Sequence, residues 1–294
     1  MFERLDNCPV CDSGQLINII ICKDHTVSKE DFVIVKCDAC SFHFTNPRPS
    51  SDQLGKYYES EEYISHQDKG NSLINQVYKI ARNFTLKGKK SLVSKYYTQG
   101  NILDIGCGTG HFLNVFNTKH WKTYGIEPNQ TAREQAQLRV SNTFESIDDL
   151  PSSAKFDIIT MWHVLEHVPD LNDFLKKVNT YLSKKGVFIV AVPNMNSLDA
   201  KIYKSHWAAY DVPRHLSHFT QPTLKKLMLK HSLKVVDIKP MKLDAFYVSM
   251  LSEKYKNGGK NNYVAAIKNG LKSNRFAREN NQEYSSLIYI IKKK

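Results

Sequence analysis

The stretch Ile102-Leu103-Asp104-Ile105-Gly106-Cys107-Gly108-Thr109-Gly110 limits the fold more than any other part of this chain. An apolar run enters a turn whose glycines carry no side chains, so backbone amides can approach a ligand closely. Glu127 follows 21 residues after Gly106, where a second apolar run ends in Gly125-Ile126-Glu127-Pro128. An acid in that place accepts hydrogen bonds from both hydroxyls of a ribose. Strand, glycine loop, helix and strand together form the opening unit of a parallel α/β sheet.

The alternation continues downstream. Strands are expected over 101–105, 121–126, 139–143 (weaker), 156–161, 186–192, 234–239 and 284–291. Helices are expected over 111–119, 129–138, 170–182, 221–231 and 243–255. In 170–182 the residues Leu171, Phe174, Leu175, Val178 and Leu182 share one side. Such alternation predicts a mostly parallel sheet with helices on both faces. The stretch 52–97 reads as helical, with Tyr57, Tyr58, Tyr63, His66 and Tyr78 placed to cover a ligand crevice. Residues 194–219 form an insertion rich in His, Trp, Tyr and Pro. Beyond Lys256 only a closing strand is expected. Three parts follow: a module over 1–46, a Pro-rich linker and helical cap over 47–100, and the α/β domain over 101–294.

The glycine spacing is GxGxG after Asp104, whereas dinucleotide-binding proteins use GxGxxG, which sets a pyrophosphate at a helix start. S-adenosylmethionine (SAM) has no phosphate, and a compact loop can pack against its ribose and methionine parts. The plain alternative, a glycine turn with an incidental Glu127, does not account for both halves together. A nicotinamide-dependent oxidoreductase fits the loop spacing least.

Asp-Ile-Gly-Cys-Gly-Thr-Gly (104–110), Gly-Ile-Glu-Pro (125–128) and Phe-Asp-Ile-Ile-Thr-Met-Trp-His-Val-Leu-Glu-His-Val (156–168) resemble the class I SAM-dependent methyltransferases. The similarity is to members acting in quinone and deoxysugar biosynthesis, and it covers roughly residues 1–240. It implies a Rossmann-like seven-stranded sheet and cofactor contacts from Asp104, Gly106, Gly108, Glu127 and Trp162, with Ser146 and Ile147 near adenine.

Ligands of open α/β sheets sit beyond the carboxyl ends of the strands. There the fourth strand runs into His163, Glu166 and His167, spaced i, i+3, i+4 as on one face of a helical turn. His-x-x-Glu-His also matches an inverted zinc-peptidase motif, but its place in the methyltransferase pattern explains it. The resembling quinone-pathway enzymes carry Glu-x-x-Glu-His here with a divalent metal, and this chain has His163 in the first position. A second cluster, Trp207 to Phe219, includes Tyr210, Asp211, Arg214, His215 and His218. His215 is the leading general base, since an imidazole titrating near neutrality suits proton removal. It resembles the His of a Glu-His pair in zinc-containing sugar C-methyltransferases, in which a His at the His167 position also takes part. Arg214 replaces that Glu, a change expected to suit an anionic acceptor. His218 is expected to pack structurally. His215, His167, Glu166 and His163 are the catalytic candidates.

Cys8, Cys11, Cys37 and Cys40 form two CxxC pairs 25 residues apart, the spacing of a closed structural zinc site of the zinc-ribbon kind. Cys22 and Cys107 are expected to pack. The N-terminal residues show no signal peptide and no run approaches the ~20 apolar residues of a membrane span, so a cytoplasmic location is expected. From Lys201 onward 19 Lys+Arg stand against 6 Asp+Glu, whereas residues 1–200 hold 22 against 23. That basic surface keeps phosphate-bearing ligands, nucleic acid and anionic lipid in play. The leading expectation is an enzyme methylating a small molecule (a sugar, sugar nucleotide or quinone-type acceptor). The alternatives are a zinc-ribbon nucleic-acid-binding protein and an RNA methyltransferase. Nothing indicates an oligomeric state.

Overall fold

The computed structural model describes residues 2–58, 73–140 and 142–294, with the side chains of 73–82 also left out. The expectations for Tyr63, His66 and the side chain of Tyr78 lie outside the described residues.

The N-terminal part contains β1 (Phe2–Glu3), β2 (Leu16–Lys23), β3 (Asp31–Cys37), β4 (His43–Thr45) and β5 (Arg48–Pro49), then a 3-10 turn over Leu54–Tyr58. Helix α1 (Leu73–Ser94) leads to β6 (Gly100–Ile105), α2 (His111–Asn114), β7 (Trp121–Ile126), α3 (Gln130–Gln137) and β8 (Asn142–Phe144). Next come β9 (Phe156–Trp162), α4 (Leu171–Tyr181), β10 (Leu182–Pro193) and α5 (Leu198–Tyr203). The chain closes with β11 (Ser217–His218), α6 (Gln221–Lys230), β12 (Leu233–Pro240), α7 (Asp244–Lys256), α8 (Tyr263–Glu279) and β13 (Ser286–Lys293).

Seven strands pair in the order β12-β13-β10-β9-β6-β7-β8. β13 runs antiparallel to both neighbours, while the β10-β9-β6-β7-β8 run is parallel. Strand periodicity divides the core. Leu103 and Ile105 join one apolar cluster, and Ile102 joins the other. Phe188, Val190 and Val192 likewise separate from Val187 and Ile189. The expected Rossmann-like sheet, covered on both faces, is therefore present.

A second, antiparallel sheet has the order β11-β4-β3-β2, so the insertion after β10 supplies its fourth strand. One side of it, with Cys8, Val10, Phe42 and Phe44, is continuous with the main core. The other, with Phe32 and Ile34, packs on Trp207 and Tyr210 of the insertion.

The structure differs from expectation locally. α2 stops at Asn114, well short of 119, and bends follow in which the buried Phe116 turns inward. The expected linker contains β5, paired with β1. The third strand begins at Asn142 and not at 139. A 17-residue helix, α8, fills a region read from sequence as featureless. Its buried positions are Ala266, Gly270, Ser273 and Ala277, so no large apolar side chains mark the inner face. Among the described residues no helix is long and apolar enough to cross a membrane.

Candidate functional site

The glycine loop leaves the carboxyl end of β6 with Gly106, Gly108 and Gly110 at φ values of +72°, +53° and +79°. These lie in the left-handed region that side-chain-bearing residues seldom adopt. At Gly106 space is short as well, because a Cβ would collide with the Val164 side chain. Glu127, just past β7, reaches back over the loop. Its carboxylate accepts from the amides of Gly108 (2.9 Å) and Asn129 (3.0 Å). Asp104 is 2% exposed and accepts from the Thr160 hydroxyl at 2.6 Å. Burial pushes its carboxyl up to about 7, against the pull of Thr160 and Lys89. Ser146 caps the 3-10 turn Ile147–Asp149, and Ile147 is packed into the core.

Trp162, the last residue of β9, borders this crevice with a buried indole N–H that has no hydrogen-bond partner among the described residues. Its ring meets Phe112 edge-on at 5.5 Å. The Lys89 ammonium from α1 lies 4.3 Å from the Trp162 ring centroid. Burial lowers the Lys89 pKa, while Asp104 and Asp244 work the other way. Sequence reasoning missed Lys89, since one inward lysine among Lys87, Lys89 and Lys90 has no distinguishing mark.

Beyond Trp162 the chain turns sharply. His163 sits at φ +59°, and the 3-10 turn Leu165–His167 follows. The expected helical face therefore holds for Glu166 and His167 only, and His163 reaches the cluster from outside the turn. Its Nδ1 is 3.4 Å from Glu166 Oε1 and its Nε2 is 3.1 Å from Asp244 Oδ2, on α7. Burial opposes a charge on this ring, but the two carboxylates outweigh it and push the pKa up to about 10. Glu166 is 1% exposed, and among the described residues neither of its oxygens has a partner within hydrogen-bond geometry. Burial would raise this carboxyl, but His163, His215 and His167 hold it below its ordinary range.

The insertion brings His215 to the same point, as Leu216 N donates to the Glu166 carbonyl at 2.8 Å. The His167 and His215 rings stand 4.6 Å apart and nearly perpendicular. His215 Nδ1 lies 2.9 Å from the Ala209 carbonyl oxygen. His167 Nδ1 lies 3.0 Å from the Arg214 carbonyl oxygen and 2.9 Å from the Tyr58 hydroxyl. A carbonyl can only accept, so Nδ1 of His215 donates to it and the neutral form of that ring presents a lone pair at Nε2, whereas at His167 the Tyr58 hydroxyl shares Nδ1 with the carbonyl. His215 Nε2 is 4.0 Å from Glu166 Oε1 and 3.9 Å from Asp211 Oδ2. Ligand atoms of Glu166, His167 and His215 all lie within 4.8 Å of one another. Burial, then the neighbouring His215, lowers the His167 pKa to about 4.

One expectation is corrected. Arg214 does not face an anionic acceptor, because its guanidinium is engaged internally and 1% of the residue is exposed. It donates to both Asp211 oxygens (3.0 and 2.6 Å), to Asp24 Oδ1 (3.1 Å) and to the Tyr57 carbonyl (2.9 Å). His218 is buried with Nε2 3.1 Å from the Thr45 hydroxyl, consistent with a packing role.

The four CxxC sulfurs converge in the N-terminal part. Cys8 Sγ is 3.5 Å from Cys40 Sγ, and Cys11 Sγ is 3.5 Å from Cys37 Sγ. A tetrahedron with metal–sulfur bonds of about 2.3 Å has edges of roughly 3.8 Å, so the cage is close to that size. The Val10 amide points at Cys8 Sγ (3.4 Å), a donor that stabilises a thiolate. Cys22 is buried elsewhere, and burial pushes its thiol up to about 12.

Residues 78–238 match the family model described as a methyltransferase domain. The ubiquinone biosynthesis O-methyltransferase of Rhodopseudomonas palustris is 30% identical over 102 residues, 32% of this chain and 40% of that one. The protein of the same name from Bartonella quintana is 29% identical over 150 residues, 46% and 61% of the two chains. The matches thus span less than two thirds of these relatives. Among solved structures, magnesium protoporphyrin IX methyltransferase from Synechocystis, with bound S-adenosylhomocysteine, has a TM-score of 0.52 at 12% identity, covering 83% of this chain and all of that one. A SAM-dependent methyltransferase from Archaeoglobus fulgidus has a TM-score of 0.50 at 19% identity, covering 72% and 94%. These two share the fold. The chain belongs to the methyltransferase domain family, among its class I S-adenosylmethionine-dependent members.

Proposed function

We propose that this protein transfers a methyl group from SAM to a hydroxyl-bearing small molecule, with His215 removing the acceptor's proton. The observation that carries the reading is the buried Glu166 carboxylate beside the His215 imidazole, whose Nδ1 is held at the Ala209 carbonyl so that Nε2 faces the carboxylates, just past the strand that ends at Trp162. SAM, bound by Asp104, Gly106, Gly108, Glu127 and Trp162, supplies an already activated methyl group. The chain's task is then to align the acceptor and take its proton. As the acceptor oxygen bonds to the methyl carbon, the carbon–sulfur bond breaks and its electron pair stays on sulfur. The acceptor proton passes to His215 Nε2, where Glu166 and Asp211 stabilise the imidazolium. His167 and His163 complete the polar wall. The relatives named for ubiquinone biosynthesis favour a quinone-type phenol, and a sugar or sugar nucleotide is the other candidate. In this reading residues 1–46 hold a structural zinc ion on Cys8, Cys11, Cys37 and Cys40, residues 47–100 cover the crevice, and 101–294 bind the cofactor.

A second reading has a specific basis. Two imidazoles whose Nδ1 atoms lie against backbone carbonyls, beside the buried Glu166 carboxylate, are a ligand set that suits a divalent cation. Glu166, His167 and His215 would hold it, and it would lower the pKa of an acceptor hydroxyl.

The test is calorimetric titration with S-adenosylhomocysteine of the wild type and Glu127→Ala, followed by an acceptor screen on His215→Ala. Saturable binding lost in the first variant, and methyl transfer lost in the second with binding intact, is the expected result. Absence of binding by folded protein would overturn the reading. Manganese titration of wild type and Glu166→Gln separates the base and cation readings.

A further inference from the structure

Helix α8 turns the usual arrangement of a surface helix inside out. Its buried face is Ala266, Gly270, Ser273 and Ala277. At Gly270 a Cβ would stand 2.7 Å from the Phe246 ring and 3.2 Å from the Ala245 carbonyl, so α7 tolerates only small residues there. The large aliphatic residues point the other way. Val264 is 80% exposed, and Tyr263, Ile267 and Leu271 are 55–58% exposed. Val264, Ile267 and Leu271 recur at 3 and 4 residues, forming a continuous stripe. Lys268, Lys272 and Arg275 make a second stripe beside it with the same recurrence, and Arg278, seven residues past Leu271, ends the aliphatic line with a further positive charge. No Asp or Glu occurs from 257 to 278, and among the described residues the ion pair on this face is that of Arg275 with Glu279 at 3.7 Å.

We propose that this face of α8 docks on an anionic lipid surface. The aliphatic stripe enters the boundary between headgroups and acyl chains, and the basic stripe meets the lipid phosphates. The pairing of the two stripes decides the occupant. A purely solvated helix has no use for three exposed aliphatics at one spacing. A second copy across a two-fold axis would bring the two basic stripes together, a like-charge contact with no acid on the face to offset it. Single-stranded nucleic acid is gripped by aromatic stacking together with basic residues, and among the described residues of α8 the exposed aromatic is Tyr263, at its end. Hydrocarbon beside negative phosphate matches both stripes at once.

The test is co-sedimentation of the full chain with phosphatidylcholine vesicles, with and without phosphatidylglycerol. The protein is expected to bind the anionic vesicles and to bind neutral ones at least about ten-fold more weakly, as is typical when several basic residues face the lipid. Lys268→Glu with Lys272→Glu, and separately Ile267→Ser with Leu271→Ser, should each weaken binding by about ten-fold or more, while S-adenosylhomocysteine affinity stays unchanged. Failure to bind anionic vesicles at low salt overturns the proposal, as does equal binding by both variants. A wild-type dimer in sedimentation velocity that both variants lose assigns the face to a second copy and overturns it. RNA binding that the lysine variant loses, without vesicle binding, does the same.

Discussion

Arg214 and Asp24 are 190 residues apart in sequence and 3.1 Å apart in space, with both side chains withdrawn from solvent. Asp24 lies in the turn between β2 and β3. It also accepts from the amides of Thr26, Val27 and Ser28 and from two hydroxyls of that turn. Arg214 adjoins His215 and offers its carbonyl to His167. The pair thus ties the cysteine-bearing part of the chain to the histidine cluster. Truncating the arginine would leave the fully buried Asp24 carboxylate and the partly exposed Asp211 carboxylate without their cation. Arg214→Ala is expected to destabilise the fold by about 3–5 kcal/mol in urea denaturation. Arg214→Lys should recover little of this, because an ammonium cannot replace a planar fork bonded to Asp211 and Asp24 together. A cost below 1 kcal/mol would show that the pair is not structurally important.

The Asp104 carboxyl, raised by burial to about 7, gives the free protein a defined pH dependence. Between its unfolded value near 3.8 and about 7 the folded chain holds a proton that the unfolded chain has lost. This contribution to stability therefore falls as pH rises through that window. Asp104→Asn should show a smaller fall between pH 4 and pH 7. An ammonium group on the cofactor favours the ionised carboxyl, so S-adenosylhomocysteine should bind more tightly at pH 8 than at pH 6. Calorimetry in buffers of different ionisation enthalpy should show proton release on binding at pH 6 and little at pH 8. Equal affinity and no proton release would rule out this coupling.

Gly106 is confined twice, by a φ of +72° and by the Val164 side chain. Gly106→Ala is expected to cost about 1–3 kcal/mol, the usual range for backbone strain with overpacking, and to abolish measurable S-adenosylhomocysteine binding. Adding Val164→Ala removes the collision and leaves the backbone strain, so it should recover part of the thermal midpoint. No recovery would mean that φ alone sets the requirement for glycine.

The four-cysteine cage predicts one zinc ion per chain by elemental analysis. Cobalt substitution should give the absorption of a tetrahedral thiolate site. Cys37→Ser should reduce metal content and lower the thermal midpoint by several degrees. Thr45, eight residues beyond Cys37, donates its hydroxyl to the His215 carbonyl at 2.7 Å, so damage to the cage should also reach the histidine turn. Full stability after metal removal would contradict a structural ion.

Local chemistry made part of this architecture readable in advance. Glycines at fixed offsets from Glu127, paired CxxC turns and alternating apolar runs each record a requirement met within about 30 residues. The strands, the glycine loop and the cysteine cage follow from them. The end of α2 and the start of β8 differ from expectation because the ends of such short elements are set by packing and not by periodicity. Helix α8 was missed because its packing side is built from small residues. Lys89, Asp24 and Asp244 carry no local mark, since each matters only through a neighbour far away in the chain.

The sequence by itself determined that a glycine loop would face an acid at the edge of a parallel sheet, and that four thiols would meet, because backbone conformation and short-range spacing suffice for both. Only the tertiary structure decided that Arg214 turns inward, that Glu166 is buried beside three histidines, and that His215 and His167 share one point. Those outcomes depend on which surfaces are removed from water when separate segments close on one another, and burial sets both the charge state and the orientation of these groups.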